Sequence, residues 1–475
     1  MTTLLDPATT SPTITTQLLA TGTADVIVIL KAASLATGST VIATSRGRSS
    51  SPAGDLSRYF IPSQRSQLLA STVAASAVAA RGRSSTAKSS PPLVRIFPAL
   101  GVMLGSVDAK GLAGLQQDGR VAAVTGAAPI SLIRPVAAGA ESQDLSEAGS
   151  GGRLLNVPAL WKLGFRGKGV VVAHLDTGVD GGHPALKGAV GQFAEFDWNG
   201  DQVQNAAPHD SDEHGTHTAA TIVGRAIRGH VIGVAPEAQL ASAMVIEGGQ
   251  VVVRVLAGLN WALTQGVKVL SMSLGIRGYV PDFLQVFQIL RARGVLPVIA
   301  VGNEGPGTSR SPGNYVEALS VGACDSRKTV APFSGGQSFN RSDNPIVPDL
   351  IAPGVDILSA VPGGKYEKMS GTSMATPHVA GLAALLFQAV PGATVDDVEN
   401  AIFKSCKRGA NDLEARVGRG LPDALVAYSL LVGSNLQAST GRRTSGRKTA
   451  RKKAPAKAKP SNAKRLTSQG RSVRG

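Results

Sequence analysis

The chain has 475 residues, of which 43% are hydrophobic, enough for a sizeable core and for more than one domain. Two cysteines are too few for a disulfide framework. The sequence contains no run of 18 apolar residues, so no transmembrane helix is expected. The formal net charge is +16, but residues 441–475 hold thirteen Lys or Arg and no Asp or Glu, so most of the positive charge belongs to a C-terminal tail.

The first 24 residues are rich in Thr and Ser and begin without a cluster of positive charge. This composition predicts a disordered N-terminus over residues 1–24. Because no sustained apolar segment follows, the pattern of a secretory signal is missing, and we expect a protein that is cytoplasmic or exported by another route.

Residues 25–127 have the pattern of a small α+β domain. Strands are predicted at 25–31, 93–97, 101–104 and 120–125, and a helix at 108–117 has Asp108 as its N-cap. Residues 55–80 also contain helix-compatible sequence. Residues 128–152 are mostly small and polar, and their composition predicts a linker.

In residues 153–433 predicted strands and helices alternate. The strands lie at 169–176, 239–246, 267–273, 295–301 and 317–323, and the helices near 214–224, 252–265, 282–293, 373–389 and 394–405. This alternation predicts an α/β domain with three layers, in which helices cover both faces of a parallel sheet. Functional groups in such domains lie at the carboxyl ends of the strands.

Four segments carry residues suited to nucleophilic catalysis. Asp176 ends an apolar strand in Asp-Thr-Gly, and His214 opens a helix within Asp-Glu-His-Gly-Thr-His. Ser373 follows a Gly-Thr turn at the start of an apolar helix, and Asn303 follows the strand Val-Ile-Ala-Val-Gly. A serine in that place is more commonly an N-cap, but the four residues together indicate a nucleophile, its base, an orienting carboxylate and an oxyanion donor.

These motifs resemble those of the subtilisin-like serine proteases, or subtilases, over residues 156–433. The resemblance implies that Asp176 orients the base, His214 is the general base and acid, Ser373 is the nucleophile and Asn303 donates to the oxyanion. It implies hydrolysis of peptide bonds in protein or peptide substrates through an acyl-enzyme, without a cofactor.

The same resemblance marks Ser271-Met-Ser-Leu-Gly275 as the strand with which an extended substrate pairs. It implies substrate-binding roles for Ser271, Ser273, Leu274, Gly275 and Gly302.

The order of elements in residues 25–127 is similar to the inhibitory propeptide that precedes the catalytic domain in many subtilases. This similarity implies a zymogen whose own N-terminal domain is an intramolecular inhibitor, with its C-terminal strand in the cleft and a self-processing site within residues 128–152. An unrelated α+β domain is the alternative.

No metal ligand is assigned from the sequence, because the calcium site common in the family is expected to be lost, and a different cation site stays open. Many subtilases bind calcium, but Ala185 stands where a ligand carboxylate is common in the family, and the loop 225–229 lacks oxygen-bearing ligands. His217 follows His214 by three residues without further zinc ligands nearby, so we expect a packed helix histidine. His174 alternates with apolar residues and is expected to be a hydrogen-bonded core residue.

Residues 434–475 predict a disordered basic tail, because interspersed Ala, Pro and Lys cannot form a core. Such a tail attracts nucleic acid or another anionic surface nonspecifically, or has no specific partner at all. The alternative function for the whole chain is a catalytically inactive binding module with the subtilase fold, which the basic tail would localise.

Overall fold

The computed structural model describes residues 11–31, 54–61, 94–246 and 251–433. The chain divides into two units, residues 1–432 and 433–475, and only Gly433 of the second is described. The tail predicted over residues 434–475 therefore lies outside the described residues. Within the described ranges, no helix has both the length and the apolar character that crossing a membrane requires.

The N-terminal part is a four-stranded antiparallel sheet in the order β2–β3–β1–β4. Its elements are α1 (Pro12–Thr21), β1 (Ala24–Leu30), a short 3-10 helix (Gly54–Tyr59), β2 (Val94–Phe97), β3 (Val102–Val107), α2 (Ala109–Gln117) and β4 (Val121–Gly126). Alternate residues of β1 face opposite ways: Val26 and Val28 pack with α1 and α2, and Ile27 and Ile29 join the core of the larger part.

The larger part contains a seven-stranded parallel sheet in the order β19–β16–β14–β12–β7–β11–β8. These strands are β7 (Val171–Asp176), β8 (Val190–Glu195), β11 (Gln239–Met244), β12 (Val269–Met272), β14 (Leu296–Ala300), β16 (Leu319–Cys324) and β19 (Leu350–Pro353). The shorter strands are β5 (Ser131–Leu132), β6 (Ala137–Glu141), β9 (Ala226–Ile227), β10 (His230–Val231), β13 (Leu274–Arg277), β15 (Arg310–Ser311), β17 (Gln337–Ser338), β18 (Ile346–Val347), β20 (Ile357–Val361) and β21 (Lys365–Ser370).

Helices cover both faces of this sheet. They are α3 (Ser150–Leu154), α4 (Val157–Lys162), α5 (His214–Val223), α6 (Val251–Thr264), α7 (Leu284–Ala292), α8 (Thr372–Ala389), α9 (Val395–Ser405) and α10 (Glu414–Val417), with further helix at 424–433 and 3-10 helices at Pro184–Leu186 and Pro281–Phe283. The apolar residues of α5, α8 and α9 share one core, and those of α6 and α7 share the other. The predicted three-layer α/β fold is confirmed, and the five predicted strands and five predicted helices are present within two residues at each end.

The predicted disordered N-terminus is wrong for residues 12–21, which form α1. Ser11 caps this helix by accepting a hydrogen bond from the Thr13 N–H, Pro12 opens it, and Ile14 is fully buried against the sheet. The Thr-rich composition did not indicate the apolar contact of Ile14, through which this short helix packs against the sheet. Residues 1–10 lie outside the described residues.

Residues 128–152, predicted as a linker, contain two short strands. β5 pairs with β13, and β6 pairs with β21 just before α8. In the region predicted to be helix-compatible, residues 54–59 form the 3-10 helix, and residues 62–80 lie outside the described residues.

The central helix α8 is buried on every side from Thr372 to Phe387. Small residues let its neighbours approach closely: a Cβ added to Gly381 would lie 2.6 Å from the Cβ of Val234. At Gly392, beyond the end of the helix, an added Cβ would have no atom within 4 Å.

We therefore expect Gly381→Ala to destabilise the fold by about 1–3 kcal/mol, because the added methyl overpacks a rigid contact. Gly392→Ala is the control and should change the free energy of unfolding by less than about 0.5 kcal/mol. Denaturant unfolding followed by fluorescence measures both variants. Equal stability of the two would contradict the close packing of α8 against Val234.

Candidate active site

Three elements bring Asp176, His214 and Ser373 to one edge of the parallel sheet. Asp176 ends β7, His214 begins α5, and Ser373 is the second residue of α8. Each is at most 1% exposed. The end of β7 thus carries the carboxylate, and the starts of α5 and α8 carry the imidazole and the hydroxyl.

The Asp176 carboxylate and the His214 ring form a buried pair. His214 Nδ1 lies 2.7 Å from Asp176 Oδ1, and the Thr177 N–H donates to the same oxygen at 2.8 Å. Burial alone lowers the pKa of His214, but the Asp176 carboxylate offsets this, and the pKa lies above its ordinary value. Burial raises the pKa of Asp176, but the His214 contact outweighs it and leaves the pKa lowered.

The other ring nitrogen of His214, Nε2, is buried and has no hydrogen-bond partner among the described residues. It is the position that can accept a proton from a nucleophile. The Ser373 hydroxyl donates instead to the backbone carbonyl of Ile133. The structure thus pairs Asp176 with His214, and Ser373 contacts a segment that crosses the site.

Asn303 faces the same segment. Its side-chain Nδ2 donates to the Arg134 carbonyl at 2.8 Å. Its Oδ1 accepts from both the N–H and the hydroxyl of Thr372, at 2.9 and 2.8 Å. Thr372, which sequence reasoning missed, therefore orients the amide so that the donor side faces the crevice.

In residues 131–134, the cleft segment, β5 pairs with β13 as an antiparallel strand. Ser131 stands opposite Gly275 and Leu132 opposite Leu274. The Ile133 N–H donates to the Ser273 carbonyl at 2.9 Å. Of the residues expected to bind substrate, Ser273, Leu274 and Gly275 thus lie along an extended peptide.

Ser271 and Ser273 differ in their surroundings. Ser271 lies within β12, paired with His174 and Val298 in the central sheet, and not beside the cleft segment. The Ser273 hydroxyl donates to the Ser373 carbonyl over a long 3.5 Å. That carbonyl is available because Pro377, four residues on, has no N–H to complete the helix bond.

Arg310 is a further residue that sequence reasoning missed. Its side chain, 9% exposed, forms an ion pair with Glu304 and donates to the Gly275 carbonyl at 3.3 Å and to the Ser131 hydroxyl at 3.2 Å. A Cβ on Gly275 would lie 2.8 Å from the Arg310 Cβ, and a Cβ on Gly302 would lie 3.1 Å from the Arg310 Cγ. The two glycines therefore leave room for an arginine between them, and no motif in the sequence signals it.

His183, His217 and His378, three further buried histidines, are all hydrogen-bonded. Burial lowers the pKa of His217 to about 3 and that of His378 to about 4. His217 contacts the carbonyls of Ile357 and Glu367, and His183 accepts from the Ala185 N–H. Within the described ranges, no group of three or more His, Cys, Asp or Glu is placed to hold a metal ion.

Comparison with known proteins adds a family to this geometry. Residues 167–420 match the model of the subtilase family, Peptidase_S8. An intracellular serine protease of Paenibacillus polymyxa is 40% identical over 255 residues, which are 52% of this chain and 75% of that protein. The major intracellular serine protease of Bacillus subtilis (strain 168) is 37% identical over 261 residues, 53% of this chain and 79% of that protein.

This chain matches nearly the full length of a third relative. Subtilisin Savinase of Lederbergia lenta is 38% identical over 277 residues, which are 58% of this chain and 96% of that protein.

The buried pair predicts the titration of His214. Because the Asp176 carboxylate raises the His214 pKa, Asp176→Asn should lower it, so that the ring is neutral at a lower pH than in the parent chain. NMR of ¹⁵N-histidine-labelled protein measures the titration. Asp144→Asn, which changes an exposed carboxylate bonded to Ser146, is the control and should leave the curve in place. An unchanged pKa in Asp176→Asn would contradict the pair.

Proposed function

The chain belongs to the subtilase family and is a serine-type endopeptidase, and from this premise we propose that Asp176, His214 and Ser373 act as one catalytic unit. The observation that carries the proposal is the 2.7 Å contact of His214 with Asp176, which leaves a buried His214 Nε2 without a partner among the described residues. A ring held this way presents one nitrogen to the nucleophile.

The reaction follows from the roles of these groups. His214 Nε2 takes the Ser373 proton as Oγ attacks the carbonyl carbon of the substrate, and Asp176 stabilises the imidazolium that forms. Asn303 Nδ2 and the Ser373 N–H donate to the oxyanion. His214 then returns the proton to the leaving amine, and water hydrolyses the acyl-enzyme by the same steps in reverse roles. None of these steps requires a cofactor.

Substrates are proteins or peptides that bind in extended form along β13. The cleft segment supports this mode, because its backbone already pairs with Ser273, Leu274 and Gly275 in the way an added strand does. Gly302 and Gly275 border the space that the Arg310 side chain fills.

The N-terminal domain, residues 25–127, acts as an intramolecular inhibitor through the cleft segment. Ser373 contacts the Ile133 carbonyl and Asn303 contacts the Arg134 carbonyl, so the nucleophile and the oxyanion donor engage successive peptide groups. Attack requires both at one carbonyl. In this arrangement the cleft segment fills the site without being cleaved. It must move by one peptide group relative to Ser373 and Asn303 before self-processing within residues 128–152.

Contacts outside the cleft support the docking of this domain. Ile27, Ile29 and Phe97 share a core with residues of α6 and α7. The Asn260 side chain accepts from the N–H groups of residues 99 and 100, at 2.8 and 3.4 Å. The fully buried Asp282 accepts from two residues that flank this domain in the chain, the Ser11 hydroxyl at 2.6 Å and the Ala128 N–H at 3.1 Å.

Two further assignments concern the whole chain. The thirteen cations of residues 441–475 favour nonspecific attraction of the tail to nucleic acid or another anionic surface. An inactive binding module is disfavoured, because all four catalytic positions are filled and the relatives compared above are proteases.

Replacement of the nucleophile tests the catalytic proposal. The full-length parent chain should release an N-terminal fragment ending within residues 128–152 and should react with a fluorophosphonate, whereas Ser373→Ala should stay intact and unlabelled. Ser405→Ala, which removes another buried serine hydroxyl, is the control and should behave as the parent. Labelling of Ser373→Ala would overturn the assignment, and a folded parent chain that neither labels nor cleaves casein would favour the binding module.

Weakened docking tests the inhibitor proposal. Asp282→Ala leaves the Ser11 and Ala128 donors without their acceptor, at a cost of about 1–3 kcal/mol, so the N-terminal domain should release roughly tenfold more readily. The lag before full-length protein begins to hydrolyse a peptide substrate should shorten accordingly. Asp396→Ala, which removes an exposed carboxylate paired with Arg291, should keep the parental lag. An unchanged lag in folded Asp282→Ala would count against inhibition by this domain.

A further inference from the structure

A second buried histidine lies behind the catalytic carboxylate. His174 is on β7, two residues before Asp176, and is 1% exposed. Its Nδ1 lies 3.0 Å from the Ser242 hydroxyl, which stands opposite it on β11. Its Nε2 lies 2.9 Å from the Thr218 hydroxyl on α5 and 3.7 Å from Asp176 Oδ2. The predicted hydrogen-bonded core histidine therefore reaches the catalytic machinery.

His174, Thr218 and Ser242 form a polar network beside β7, a buried strand that is otherwise mostly apolar. Val172, Ala173 and Leu175 of the same strand are fully buried hydrophobic residues. Burying a histidine, a threonine and a serine together lowers stability unless their polar atoms are paired. Here both ring nitrogens of His174 are paired with hydroxyls, and the hydroxyl of Thr218 is the link to Asp176.

Thr218 has one proton to donate and, besides His174 Nε2 at 2.9 Å, three oxygen acceptors in range. They are Asp176 Oδ2 at 3.3 Å and the carbonyls of His214 and Gly215, both at 3.1 Å. The two carbonyls lie inside α5, where the backbone N–H groups four residues on already serve them. In the described part of the chain, Thr218 is the only donor to Asp176 Oδ2, and an ionised oxygen attracts a donor more strongly than a carbonyl does.

The state of His174 decides where that proton goes. With the proton on Nε2, His174 donates to the Thr218 oxygen and accepts from Ser242, and the Thr218 proton is free for Asp176. With the proton on Nδ1, Thr218 must donate to His174 Nε2, and Asp176 Oδ2 loses its donor. Only the first arrangement gives every group in the network a partner.

We propose that His174 is a positioning residue for the peptidase reaction: as the Nε2–H tautomer it holds the Thr218 proton on Asp176 Oδ2, and so fixes the rotation of the carboxylate and moderates its pull on the His214 proton. The proposal rests on the catalytic roles proposed above for Asp176 and His214. It gives the pair a donor on each carboxylate oxygen, His214 on Oδ1 and Thr218 on Oδ2.

The charged groups around Asp176 and His214 determine in which direction the pKa of His214 moves when this network is removed. Besides Asp176, Asp210 and Asp212 before α5 raise the pKa of His214, and His217 on the next turn is neutral. Burial lowers the pKa of His174 to about 4, so it contributes a dipole and no charge at neutral pH. If the hydrogen bonds from His174 to Thr218 and from Thr218 to Asp176 Oδ2 are lost, the negative charge of Asp176 is concentrated on the side of His214. The pKa of His214 then rises.

The test is the pH profile of kcat/KM for a peptide substrate, measured on processed enzyme titrated for active sites. His174→Leu and the isosteric Thr218→Val should each move the acid limb upwards by about 0.7 pH unit, since one hydrogen bond is worth about 1 kcal/mol and one pKa unit about 1.4 kcal/mol. Because His174 acts through Thr218, the double variant should show no further shift. Thr218→Ser, which keeps the hydroxyl, should return the limb to the parental position.

Three results would overturn the proposal. The first is a lower melting temperature in His174→Leu with an unmoved acid limb, which is the behaviour of a merely structural residue. The second is a full additional shift in the double variant, which would separate His174 from Thr218. The third comes from the ¹⁵N-histidine spectrum of full-length Ser373→Ala, where an Nδ1–H tautomer of His174 contradicts the network even if His174→Leu does not fold.

Failure of the catalytic roles themselves is distinguishable. It would show as activity retained in Ser373→Ala, whatever the position of the acid limb in the His174 and Thr218 variants.

Discussion

The hydrogen bond between the buried carboxylate of Asp176 and His214 is the interaction on which the rest of the site depends. A carboxylate that is 1% exposed stays ionised only when donors surround it. The Thr177 N–H and His214 supply donors to one oxygen, and Thr218 supplies a donor to the other. Each of these donors comes from a fixed element, either the end of β7 or the first turns of α5, so the fold itself preserves the ionised state.

The edge of the sheet at which Asp176, His214 and Ser373 lie also receives the cleft segment. Parallel strands end together there, and β13 continues beyond the sheet as a free strand edge with which Ser131 and Leu132 pair. We propose that a substrate peptide binds along this same strand edge in extended form. The N-terminal domain is therefore packed against α6 and α7, where its short connection delivers residues 131–134 into the cleft.

The sequence predicted the elements whose signal is local. Apolar runs and helical periodicity indicated the strands and helices of the parallel sheet, and Asp176, His214, Asn303 and Ser373 stand at ends that those patterns define. Contacts between residues distant in the chain were not predictable. Arg310 reaches Ser131 and Gly275 only through the fold, the residues taken for a linker cross the cleft, and Ile14 docks a helix that its polar neighbours concealed. His174 was identified as a core residue, but its neighbours Ser242 and Thr218 come from other elements.

The central claim is that Asp176, His214 and Ser373 work as one unit, and non-additivity of their loss tests it most directly. We would measure kcat for a peptide substrate in Ser373→Ala, in His214→Ala and in the variant carrying both changes. If the histidine acts only through the serine, the double variant is as slow as Ser373→Ala alone. If His214→Ala lowers the rate again by a similar factor in the Ser373→Ala background, the two residues act separately and the account of the site is wrong.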